Sequence, residues 1–145
     1  MDELQTALKK VLANTFVMYF KTHTYHWNVE GMFFPQLHEF FGNLYEELYS
    51  AVDPIAEHLR AMDSYTPVSL AELTGLSTVM ETLTGVPDAK SMVNNLIVDN
   101  NTVIISLMQA YQEADKASEL GLANFLQDRI DMHQKHGWML KATAK

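Results

Sequence analysis

Apolar residues recur along this chain at intervals of three and four, and no segment sustains the two-residue alternation of a half-buried strand. The pattern predicts four long helices. The first runs from about Asp2 to Asn28, with Leu4, Leu8, Val11, Leu12 and Tyr19 on one stripe; Gly31 and the Phe33-Phe34-Pro35 stretch end it. The second, from about Pro35 to Met62, carries the cleanest stripe: Leu37, Phe41, Leu44, Leu48, Val52, Ile55 and Leu59. Pro54 lies inside it and removes one backbone donor, which predicts a local kink. The third runs from about Asp88, a suitable cap, to Ser118 on Val93, Leu96, Val103, Leu107 and Tyr111. Gly121 marks a tight turn, and the fourth runs from about Leu122 to Ala142 with Leu122, Leu126, Ile130, Gly137 and Leu140 inward.

A linker from Asp63 to about Pro87 separates the second and third helices. Within it, Ser69 to Leu73 has the pattern of one or two helical turns. Its length lets the chain cross from one end of a bundle to the other, so the expected fold is an all-α four-helix bundle with one long crossover carrying a short helix. A length of 145 residues suits one domain, 1–145, and a hydrophobic content of 48% suffices for its core.

Composition narrows the chemistry. Cysteine is absent, which excludes disulfides, thiolate metal sites and a cysteine nucleophile. The opening Met1-Asp2-Glu3-Leu4-Gln5 lacks a basic segment followed by an apolar run, and no stretch approaches the roughly 18 apolar residues of a membrane helix. The cytoplasm is the expected location. A formal net charge of −8 disfavours nucleic acid, whose binding depends on Lys and Arg neutralising phosphates, and favours cations.

Four of the six histidines form two H-x-x-H pairs, His23 with His26 and His133 with His136. Residues three apart share a helix face, so either pair is able to chelate. His133, in heptad register with Leu126 and Leu140, reads rather as a packed core residue. Dinuclear carboxylate sites within one bundle use Glu-x-x-His motifs, and no Glu precedes a histidine by three residues here. The second helix offers another arrangement. His38 lies beside its apolar stripe, whereas Asp53 and Glu57 lie opposite it, facing away from the chain's own core with Glu39 and Glu46. These four carboxylates repel one another, with only Arg60 as an obvious counter-charge; water, a metal ion or a partner subunit relieves that repulsion. His38 and Asp53 are separated by about 22 Å of helix, too far for one ion. A second copy packed antiparallel about a two-fold axis brings His38 of one chain to Asp53 and Glu57 of the other, twice over. His26 joins from the neighbouring helix across the Gly31 turn. Imidazole with carboxylate suits iron, zinc or manganese.

The run His26-Trp27-Asn28-Val29-Glu30-Gly31, then Phe34, Leu37-His38-Glu39 and Phe40, then Asp53-Pro54-Ile55-Ala56-Glu57, resembles the Dps family, the mini-ferritins named for DNA-binding protein from starved cells. The segment His133-Gln134-Lys135-His136-Gly137-Trp138-Met139-Leu140 resembles that family's last helix. The resemblance implies a ferritin-like subunit, a hollow homododecamer built from two-fold dimers, and a ferroxidase centre with His26 and His38 from one subunit and Asp53 and Glu57 from the next. It implies oxidation of Fe(II), preferentially by hydrogen peroxide, and storage of ferric mineral inside. Trp27, beside His26, is placed to quench a stray radical or else to pack as a core indole. His23, Glu46 and His58 are possible extra metal contacts. Asp115, Glu119 and Asp128, near the last turn, are candidates for acidic pores admitting iron.

Two departures from the family pattern shape the alternatives. Where the family usually has Asp or Glu four residues after the second histidine, this chain has Gly42. Losing a carboxylate weakens a site for a hard ion. A metal-binding cage with weak or no ferroxidase activity, holding zinc at rest, is therefore the main rival reading. A DNA-packing protein and a monomeric interaction module are further rivals. The Lys-rich tail of DNA-binding members is missing, so tight DNA binding is not expected.

Overall fold

The computed structural model describes residues 2–81 and 84–145. Its helices are α1 (Glu3–Asn28), α2 (Phe34–Ala61), the short α3 (Leu70–Leu76), α4 (Ala89–Lys116) and α5 (Leu120–Ala144). This is the expected ferritin-like four-helix bundle, with α3 inside the long crossover from α2 to α4; residues 82–83 of that crossover lie outside the described residues.

Local chemistry sets the boundaries. Asp2 and Asp88 accept the backbone N–H groups of Gln5 and Ser91 and so begin α1 and α4. Ser69 starts α3 by accepting from Glu72 N, while the Glu72 carboxylate reaches back to Val68 N. α2 and α4 end alike. Asp63 (φ 59°) and Ser118 (φ 57°) turn into the left-handed region, letting Ser64 N reach Leu59 O and Glu119 N reach Ala114 O. The tight turn between the last helices thus falls at Ser118, and Gly121 lies inside the first turn of α5. Its lack of a side chain had suggested a turn that backbone hydrogen bonding places three residues earlier. α2 continues as helix through Pro54.

α1 packs along α2 and α4, and α4 along α5. The stripes expected from the sequence form the core: Leu8, Val11, Phe41, Leu48, Ile55, Leu59, Leu96, Val103, Leu107, Leu126 and Leu140 are almost wholly buried. Val52, Tyr111, Tyr19 and Ile130 reach it only partly.

Two polar side chains of α1 fasten the crossover. Buried Asn14 accepts from Thr78 N (2.7 Å), Val79 N (3.3 Å) and Ser77 Oγ (3.0 Å) and donates to Thr78 Oγ1. Lys21 donates to Met80 O (2.6 Å) and pairs with Asp99 of α4 at 2.7 Å. Burial raises the Asp99 carboxyl above its ordinary value, although the Lys21 ammonium opposes the rise.

α2 and α5 are joined by long side chains. Arg129 donates to both oxygens of Glu47 (2.5 and 3.0 Å), and His136 Nε2 donates to Glu47 Oε1 (2.6 Å). Arg129 also donates to His133 Nε2 (3.0 Å). His133 Nδ1 therefore carries the proton and donates to Asn100 Oδ1 (2.9 Å), whose amide returns a bond to His133 O (2.8 Å). A Cβ at Gly137 would lie 3.1 Å from the Asn100 amide nitrogen, so the smallest residue keeps α5 close to α4 there. His133, fully buried with both ring nitrogens engaged, is thus spent on core structure.

Candidate metal centre

His23 and His26 stand in the last turns of α1, and His38 stands in the second turn of α2. The intervening turn depends on Gly31, whose φ of 117° is strained for any other residue. Phe34 N bonds back to Gly31 O and Val29 buries its side chain, so α2 returns beside α1.

The two rings are fixed by a reciprocal pair of bonds. His26 Nδ1 donates to His38 O, and His38 Nδ1 donates to His26 O, both at 2.7 Å. A carbonyl only accepts, so both Nδ1 atoms carry protons and both Nε2 atoms carry lone pairs. The rings stack with centroids 3.8 Å apart, 16° from parallel, and Phe34 lies against His38 at 5.1 Å. Neither Nε2 has a partner among the described residues, and neither is sealed from water. Backbone carbonyls behind Nδ1 with a free Nε2 in front is how proteins prepare histidine to ligate a metal.

Gly42 belongs to this arrangement. A Cβ there would lie 3.1 Å from His26 Cε1 and 3.2 Å from Nδ1. The missing carboxylate leaves room that the His26 ring occupies. Gly42→Ala adds the bulk without a donor and pushes the ring off its carbonyl. It is expected to weaken metal binding by about 10-fold, the scale for disturbing the support of a ligand; calorimetric titration with Zn(II) checks this.

Asp53 and Glu57 are exposed on the outer face of α2, with Glu39 and Glu46, and none of the four has an ion-pair or hydrogen-bond partner among the described residues. Arg60 lies over the Tyr65 ring at 4.5 Å and answers none of them. No cluster of three or more His, Asp or Glu able to hold an ion occurs within one chain among the described residues. The geometry therefore supplies two halves at opposite ends of α2: oriented imidazoles at one, unpaired carboxylates at the other.

His23 is stacked on Tyr45 (3.8 Å, 9°), touches Trp27 (4.1 Å), and shares a 3.0 Å hydrogen bond with Tyr19 through Nδ1. Burial and the neighbouring His26 push its imidazole below the ordinary value. Trp27 is 56% exposed within the chain, so it is no core indole of the isolated subunit. His58 rests against Phe125 of α5, at 4.8 Å. Asp115, Glu119 and Asp128 are all exposed, with Glu119 beside a 920 Å³ cleft at that end of the bundle. The core network of Glu47, Asn100, Arg129 and His136 was not foreseen from the sequence. Its signal was the spacing of Arg129, His133 and His136 on the inner face of α5, where apolar residues belong.

Fold and geometry together define a ferritin-like bundle with oriented imidazoles near one end of α2 and the exposed carboxylates of Asp53 and Glu57 towards the other. The profile of the ferritin-like domain family matches residues 5–145. The DNA protection during starvation protein of Brevibacillus brevis is 35% identical over 136 residues, covering 93% of this chain and 90% of that one. The crystal structure of Dps from Thermosynechococcus elongatus superposes with a TM-score of 0.94 at 29% identity, over 99% of this chain and 90% of that one. Dps from Vibrio cholerae O1, described as a member of a broad superfamily of ferritin-like diiron-carboxylate proteins, superposes at 0.93 with 27% identity, over 99% and 89%. The chain belongs to the Dps family of ferritin-like proteins.

Proposed function

We propose that this protein detoxifies and stores iron, oxidising Fe(II) at sites shared between two subunits. The observation that carries the reading is the pair of unpartnered imidazole Nε2 atoms on His26 and His38, held by carbonyls behind them. Asp53 and Glu57 of a two-fold partner complete the site, since α2 run antiparallel to itself brings its two ends together. Mixed nitrogen and oxygen donors suit ferrous iron and accept ferric iron. Membership of the Dps family supports a hollow dodecamer, and the numerous exposed apolar side chains, Phe20, Met32, Leu70, Leu120 and Trp138 among them, support extensive subunit contacts. Hydrogen peroxide is the proposed oxidant: it takes one electron from each of two ferrous ions and, with two protons, leaves as water. Zinc competes for the same donors. The test is anaerobic addition of Fe(II) to the purified assembly, followed by peroxide. Ferric absorbance should rise well above the buffer rate; an assembly that oxidises no faster than buffer sinks the proposal and leaves a metal-binding cage.

The charge argues against a DNA-packing role. At −8 per chain, an assembled shell repels phosphate. No retardation of plasmid DNA is expected in a gel at physiological salt; a complete shift would overturn this. No helix among the described residues is long and apolar enough to cross a membrane.

A further inference from the structure

A second set of donors lies on the opposite side of the bundle from α1. Glu47 accepts from Arg129 through both oxygens and from His136 Nε2, so the His136 imidazole is fixed with its proton on Nε2. Its Nδ1 then carries the lone pair. This nitrogen has no partner, and it is not among the sealed atoms, so it opens to water. The opening is a cavity of about 280 Å³ between α2 and α5, lined by Phe40, Glu47, Met132, Lys135, His136 and Met139, among others. Met132 and Met139 stand four residues before and three residues after His136, on the same face of α5. Both are half-buried at the cavity wall and neither is a fully buried filler of the core.

We propose that Met132, His136 and Met139 form a site for a soft monovalent cation, Cu(I), separate from the inter-subunit centre. Thioether sulfur with imidazole nitrogen is the donor set such an ion prefers. A carboxylate behind the imidazole makes its free nitrogen a better ligand. Hard divalent ions find little here, because Arg129 and His136 engage both Glu47 oxygens. Methionine's three rotatable bonds let the sulfurs close on an ion from neighbouring turns. The Lys135 ammonium at the rim opposes a cation, but it is exposed and swings outward on a flexible stem.

The experiment is anaerobic titration of the whole assembly with Cu(I) against bicinchoninate, in a His38→Ala background that removes one donor of the other centre. The assembly is expected to withdraw one Cu(I) per chain, with sulfur neighbours visible in copper X-ray absorption. Met132→Leu with Met139→Leu conserves volume and should preserve the fold. That double variant should lose well over the ~10-fold that an outer-shell change brings. Failure to hold Cu(I) against the chelator overturns the site. So does an affinity unchanged in the double variant, or an absorption spectrum without sulfur. None of these outcomes bears on ferrous oxidation.

Discussion

Replacing His38 by alanine is expected to lower peroxide-driven ferrous oxidation at least 100-fold while leaving the helical content unchanged. The ring lies on the edge of the apolar stripe and is only half-buried, so its loss opens no core cavity. It removes one donor outright, and it takes away two supports of another: the stacked face against His26 and the order of the turn that holds them. An outer-shell change alone costs about 10- to 100-fold in metal affinity, and here a proposed ligand is lost as well. Asp53→Ala should match it without touching His26 or His38, because Asp53 contributes from the other end of α2. Mixing the two inactive variants tests the shared site directly. Reassembled dimers containing one chain of each kind retain one intact site of two, so about a quarter of wild-type activity is expected from random pairing. No recovery after proven subunit exchange would place the donors within one chain, contrary to the proposal.

The second large effect concerns stability. Arg129→Leu leaves the Glu47 carboxylate in the α2–α5 seam with only the His136 Nε2–H to answer it. Removing one member of a buried pair costs about 3–5 kcal/mol. Because the Glu47 side chain is 24% exposed, the lower end applies, or roughly a 10 °C fall in Tm. Acid should expose the same network. Burial raises the Glu47 carboxyl, but hydrogen bonds and charge from His136 and Arg129 outweigh it and hold the group at about 2, against an ordinary 4.5. The unfolded chain therefore takes up the proton first: the contribution is whole above about pH 4.5 and is lost as pH falls towards 2. His133 adds an earlier loss. Burial first, then the charges of Arg129 and His136, depress its imidazole well below 6.5, so acid begins to favour the unfolded chain near that pH. Calorimetric scans from pH 7 to 3 should show Tm falling in both stages for the wild type. A flat profile, or an Arg129→Leu variant as stable as the parent, refutes this account of the seam.

Much of this was legible in the chain. The stripe from Leu37 to Leu59 fixed both the core face of α2 and, by subtraction, the outward direction of Asp53 and Glu57. Asp88 began its helix as its cap chemistry required. The spacing of His26 and His38 across a glycine turn foretold that they would meet. What could not be read was how they meet: the carbonyl bonds depend on two helices returning at a particular depth, which no periodicity encodes. Gly42 looked like a simple loss, because its consequence is the position of a ring on another helix. Arg129 finds Glu47 82 residues away and His133 finds Asn100 33 residues away, and only tertiary packing selects these partners. Gly121 misled because a glycine tolerates a turn without requiring one.

The longest connection of the molecule has little core of its own. No side chain of α3 is fully buried, and the segment from Ser77 to Met80 is docked onto the amide of Asn14 and the ammonium of Lys21. Both docking points project from a helix that also contacts α2 and α4. The connection therefore cannot peel away cheaply. Detaching it leaves the buried Asn14 amide without its partners, so amide exchange at Val79 should be as slow as in the middle of α1, and a protease should find no early cut there.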